Sequence, residues 1–195
     1  IAYFFMKDRV IIAHGWGGSP REPMHVWMRD QLESRGAQVI VPEMPDADHP
    51  RIKQWVEKID SVVSSPDKYT HFIGHSIGCQ TVLRYLQTLD KEVKVGKIVL
   101  IAPWMYLDAN TIAEEGQESV KIAKPWTETP IDWKKIKQHT DQFFCIFSDN
   151  DPYVPLSNQN IFRKELGAKI IVESNKGHYT KDDNVVSNKT ALMLF

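Results

Sequence analysis

Thr70-His71-Phe72-Ile73-Gly74-His75-Ser76-Ile77-Gly78 is the stretch that decides how this chain folds. It opens as an apolar run short enough for a buried strand. It then passes through Gly-His-Ser-Ile-Gly, and the apolar positions beyond, Val82-Leu83-Tyr85-Leu86-Leu89, recur at helical spacing. A serine between a strand and a helix in a G-x-S-x-G frame must stand on a sharp corner with strained backbone angles. The glycine two residues to either side lets neighbouring backbone pass close to it. The corner lifts the hydroxyl out of the sheet and sets it at a helix N-terminus, where amides and the helix dipole favour developing negative charge.

The same alternation runs outward in both directions. Strands are expected at Val10–Ala13, Gln38–Val41, Thr70–Ile73, Lys97–Ala102, Gln142–Phe147 and Lys169–Val172. Several are nearly continuous in Val, Ile and Phe, as strands covered on both faces are. Helices are expected at Pro23–Arg35, Arg51–Val63, Ile77–Leu89 and Asn158–Leu166, with a last one after Thr180. Pro50 is expected in the first turn of the second helix, and Gly36 as the cap closing the first. Strand–helix repetition of this length predicts an α/β fold of three layers: about six mostly parallel strands with helices on both faces. Residues 103–140, with three prolines and three tryptophans, break the rhythm. They are expected as an insertion beside the sheet, with one helical pattern around Asp108–Ala123.

The chain has 195 residues, enough for one domain with a sizeable core. Its 24 basic and 25 acidic residues leave a net charge of −1, which argues against a dedicated nucleic-acid binder. Cys79 and Cys145 are too few for a disulfide scaffold and fit a reducing, cytoplasmic setting. No run approaches the ~20 apolar residues that cross a bilayer. Met6-Lys7-Asp8-Arg9-Val10 reads like a start of translation, so Ile1 to Phe5 are expected to be a remnant ahead of it.

In an open parallel sheet, sites form beyond the carboxyl ends of the strands, so the residues just past each strand matter. After the third stands Ser76, a nucleophile candidate. After the fifth comes Ser148-Asp149-Asn150-Asp151-Pro152-Tyr153-Val154-Pro155, where Asp149 and Asp151 both qualify to orient a histidine; the Asp-Pro-x-x-Pro arrangement favours Asp151. After the last comes Asn175-Lys176-Gly177-His178-Tyr179, and His178 suits proton transfer near neutral pH. His75 reads as a packing or hydrogen-bonding residue instead. His14-Gly15-Trp16-Gly17-Gly18-Ser19 after the first strand matches no phosphate-binding motif. It reads either as an oxyanion loop, with backbone N–H groups of Trp16 and Ile77 as donors, or as a tight turn around a buried His14. Trp104, Met105 and Tyr106, together with Trp16, are expected to wall an acyl pocket, core packing being the other role open to them. No metal-ligand spacing emerges, and the chemistry asks for no organic cofactor.

His-Gly-Trp-Gly-Gly-Ser, Gly-His-Ser-Ile-Gly, Ser-Asp-Asn-Asp-Pro-Tyr-Val-Pro and Gly-His-Tyr, in that order from Val10 onward, resemble the small α/β-hydrolase serine hydrolases that include retinoblastoma-binding protein nine and its bacterial relatives. The resemblance implies a sheet without the two leading antiparallel strands of larger relatives, little lid, and Ser76, Asp151 and His178 as a catalytic triad. It implies a carboxylesterase-like serine hydrolase that cleaves an ester, thioester or amide of a small acyl substrate through an acyl-enzyme. The other reading is a non-catalytic or regulatory protein-binding module on a retained hydrolase fold. Neither cysteine lies in a Leu-x-Cys-x-Glu pattern, so retinoblastoma binding does not carry over.

Overall fold

A computed structural model describes residues 7–195; the expected translation start and the remnant ahead of it fall wholly or partly outside these. Six strands form one sheet: β1 (Arg9–Ala13), β2 (Gln38–Ile40), β3 (Thr70–His75), β4 (Ile98–Ile101), β5 (Phe143–Ser148) and β6 (Lys169–Glu173). Their order is β2-β1-β3-β4-β5-β6, and all five pairings are parallel. No antiparallel strand occurs among the described residues. The chain steps outward from β1 to β2, doubles back to β3, then moves steadily the other way. Right-handed crossovers therefore put the first connecting helix on one face and the later ones on the other. α1 (Pro23–Ser34) accordingly packs with α8 (Lys189–Leu192). Across the sheet, α2 (Ile52–Val63), α3 (Ile77–Leu86), α6 (Trp133–Lys137) and α7 (Asn158–Leu166) pack in succession.

Burial explains the apolar runs. All six residues of β3 and all four of β4 are buried, whereas the edge strands β2 and β6 are partly exposed. α2 presents Trp55, Ile59 and Val63 to the core at four-residue spacing. Truncating Trp55, which is fully buried, should cost about 3–5 kcal/mol. α3 is buried on every side, so its polar groups must find partners inside. Gln80 donates to the Trp104 carbonyl, and Arg84 donates to Gln80 Oε1 and to the carbonyls of Trp126, Thr129 and Pro130. Desolvation lowers the pKa of Arg84 to about 10.

Three expectations need correction. Pro50 lies outside α2, whose N-cap is the extended Arg51; the Pro50 carbonyl instead accepts from the Trp126 indole at 3.0 Å. The helix expected after Thr180 is a single 3-10 turn, Lys181–Asp183, stopped by Asn184 at φ 59°; α8 starts only at Lys189. Residues 103–140 hold three helices instead of one: α4 (Ala109–Glu114), α5 (Gln117–Glu128) and α6, with Gly116 at φ 105° separating the first two. α5 also runs through Pro125, which normally breaks a helix. Pro125 and Lys121, whose carbonyl loses its donor, are both exposed, so water can solvate that carbonyl. Gly36 closes α1 as expected: it lies at φ 94° just past the cap, and its amide and that of Ala37 bond back to Glu33 and Leu32.

Candidate active site

Ser76 sits at φ 53°, ψ −121°, between β3 and α3. The two flanking glycines are required by contact. A β-carbon on Gly78 would stand 2.3 Å from the Ala13 carbonyl oxygen, and one on Gly74 would stand 2.6 Å from Cys79 Cα. The Ser76 hydroxyl lies 2.8 Å from His178 Nε2, and the Trp104 indole N–H donates to its oxygen at 3.3 Å. His178 Nδ1 lies 2.8 Å from Asp151 Oδ2. Alcohol, imidazole and carboxylate thus touch in series. The Asp151 side chain is 2% exposed, and its other oxygen accepts from the Tyr153 and Val154 amides. Asp149, the alternative, is turned away: its carboxylate accepts from the Asn175 amide, a bond that holds its pKa below the ordinary value.

The loop that carries His178 hangs on the segment that carries Asp151. Ser148 Oγ accepts from the Lys176 amide, Asp149 from Asn175, and Asn150 Oδ1 from Gly177. Asp183 Oδ2 accepts from the amides of His178 and Thr180 and from the Thr180 hydroxyl. Ser148, Asn150 and Asp183 were not singled out from sequence. The polar run after β5 and the Thr180–Asp183 spacing of a capping box were the available signals.

These groups open on a cleft of about 530 Å³, walled by Trp16, Trp104, Leu107, Ile112, Ile122 and Val185 and rimmed by Glu22, Asp48, Glu115, Glu118 and Asp182. Trp16 and Trp104 line it. Met105 and Tyr106 do not: their amides are tied to Asn158 Oδ1, and the Tyr106 hydroxyl donates to Ser157. Among the described residues, neither the Trp16 nor the Ile77 amide meets an acceptor, while the Gly17 and Gly18 amides donate to the carbonyls of Ala47 and Gly15. His14 is buried, as the tight-turn reading expects. Its Nε2 accepts from the Met44 amide, so Nδ1 carries the hydrogen and donates to the Gly15 carbonyl; desolvation lowers its pKa.

A serine on a strained strand–helix corner of an all-parallel sheet, in series with an imidazole and a carboxylate, is the arrangement of an α/β-hydrolase fold. The serine hydrolase family model matches residues 10–194, and the chain belongs to that family. It is 23% identical over 182 residues to YdeN of Bacillus subtilis, covering 93% of this chain and 91% of that protein. To the serine hydrolase RBBP9 of Rattus norvegicus it is 26% identical over 171 residues, covering 87% and 80%. The crystal structure of the B. subtilis ydeN gene product superposes with a TM-score of 0.86 at 22% identity, over 96% of each chain. Est1E from Butyrivibrio proteoclasticus superposes with a TM-score of 0.69 at 17% identity, over 96% of this chain and 86% of that one.

Proposed function

We propose that this serine hydrolase cleaves an ester-type bond of a small acyl substrate through an acyl-enzyme on Ser76. The observation that carries the proposal is the unbroken series Ser76 Oγ–His178 Nε2 and His178 Nδ1–Asp151 Oδ2, each 2.8 Å. His178 Nε2 takes the hydroxyl proton as Oγ attacks the carbonyl carbon. Asp151 fixes the ring and stabilises the imidazolium. The unengaged amides of Trp16 and Ile77 receive the oxyanion; losing one such donor typically costs about 2.7–4 kcal/mol of barrier stabilisation. The tetrahedral intermediate expels an alcohol or thiol that takes the proton from His178. Water then gives a proton to the same nitrogen as it attacks the acyl carbon; the second tetrahedral intermediate expels Ser76 Oγ, which takes that proton back, and the carboxylic acid leaves.

A cleft of about 530 Å³ suits a small substrate, and its apolar wall beside Trp104 suits an acyl chain. No helix among the described residues is long and apolar enough to cross a membrane. Two free, buried cysteines fit a cytoplasmic setting. A fluorophosphonate probe tests the proposal: wild type should be labelled and Ser76→Ala should not. A well-folded wild type that resists labelling overturns it in favour of a binding module. A panel of p-nitrophenyl esters of increasing chain length, with thioesters and aminoacyl amides alongside, then ranks the bond types.

A further inference from the structure

His75 precedes the nucleophile, and its side chain does more than complete the turn. The residue is buried, and its Nε2 lies 2.8 Å from the backbone oxygen of His178. A carbonyl only accepts, so Nε2 carries the hydrogen and donates it. The opposite edge of the ring faces Gly15, where a β-carbon would stand 3.2 Å from Nδ1. The ring centroid lies 5.4 Å from that of His178 and 5.7 Å from that of His25, which meets it edge-on. Burial, reinforced by the neighbouring imidazoles, lowers the pKa of His75 well below the ordinary histidine value. It therefore stays neutral beside the cation that forms on His178.

The loop from Asn175 to Tyr179 has three residues at positive φ, namely Asn175, Gly177 and Tyr179. Its amides are held from the β5 side and by Asp183. Among the described residues, two hydrogen bonds join this loop to the β3–α3 corner: His178 Nε2 to Ser76, and His75 to the His178 carbonyl. The first depends on the serine hydrogen and is lost once Oγ is acylated. The second persists.

Resting on the acyl-enzyme reading above, we infer that His75 is a positioning residue: its Nε2–H ties the His178 carbonyl to the nucleophile's own strand and keeps the imidazole in register with Oγ while the serine is acylated. The role falls on deacylation, when water must be activated by a ring no longer bonded to the serine.

The experiment compares wild type, His75→Gln and His75→Met in burst kinetics with p-nitrophenyl acetate. Glutamine sets an amide N–H near the place of Nε2; methionine has similar length and no donor. His75→Met should lower kcat about tenfold, with KM falling alongside it and kcat/KM changing far less, because a slowed second step accumulates acyl-enzyme. His75→Gln should return kcat to within about threefold of wild type. Equal behaviour of the two variants overturns the inference, as does an equal fall in kcat and kcat/KM. If a thermal melt shows that His75→Met does not fold, His75→Gln decides alone, and a tenfold loss in that folded variant overturns the assignment. Fluorophosphonate labelling of wild type keeps the two claims apart. A folded wild type without labelling or turnover sinks the hydrolase reading and this inference with it; labelling and turnover leave the His75 variants to judge the inference.

Discussion

At the scale of single residues, two aspartates two positions apart carry opposite assignments. Asp151 is buried against His178, while Asp149 is exposed and holds the Asn175 amide. Asp151→Asn should therefore lower kcat by roughly a thousandfold or more, whereas Asp149→Asn should stay within about tenfold. Steady-state rates on one p-nitrophenyl ester check this, and comparable losses would reverse the assignment. Asn150 is a third case. Its oxygen accepts from both the Gly177 amide and the Ser148 hydroxyl, so Asn150→Ala should cost about 1–3 kcal/mol in denaturant unfolding.

At the scale of elements, the glycines of the elbow and of the first helix end make a sharp contrast. Gly78→Ala drives a methyl into the carbonyls of Ala13 and His14, so β1 or α3 must shift. The variant should lose more than about 4 kcal/mol or fail to accumulate as soluble protein. Gly36→Ala meets open space, and only its φ of 94° is strained, which should cost about 1–2 kcal/mol in the same assay. Elements were legible where a short apolar run or a single period stood out: the buried β3 and β4 for the first, and the α2 face of Trp55, Ile59 and Val63 for the second. Pro125 and Gly116 obscured α4 and α5, because a solvated carbonyl and a positive φ are tolerated there for reasons outside local sequence. Ser76, Asp151 and His178 could be picked out because each comes after a strand at the same end of a parallel sheet. The inward contacts of His75, the part played by Asn150 and the outward turn of Tyr106 depend on which segments meet in space, which spacing does not reveal.

At the scale of the whole molecule, buried imidazoles should add to acid sensitivity. His25 is 2% exposed, and burial lowers its pKa to about 4 from 6.5. Between these values the unfolded chain binds the extra proton, so stability rises with pH there and is lost as pH falls from about 6.5 towards 4. The full effect approaches about 3 kcal/mol. Burial lowers His14 and His71 in the same direction. Melting temperature should fall steeply across that window, and His25→Gln should flatten part of the slope; an unchanged slope would mean His25 is not the source.

The all-parallel pairing has a kinetic corollary. Among the described residues no two neighbouring strands are joined by a tight hairpin, so no hairpin nucleus starts the sheet, and the contact between Ser76 and His178 closes a loop of 102 residues. During refolding, helical signal in circular dichroism should return before reactivity towards a fluorophosphonate does. On the acyl-enzyme reading, the Ser76 hydroxyl meets its base only after segments 102 residues apart along the chain have come together.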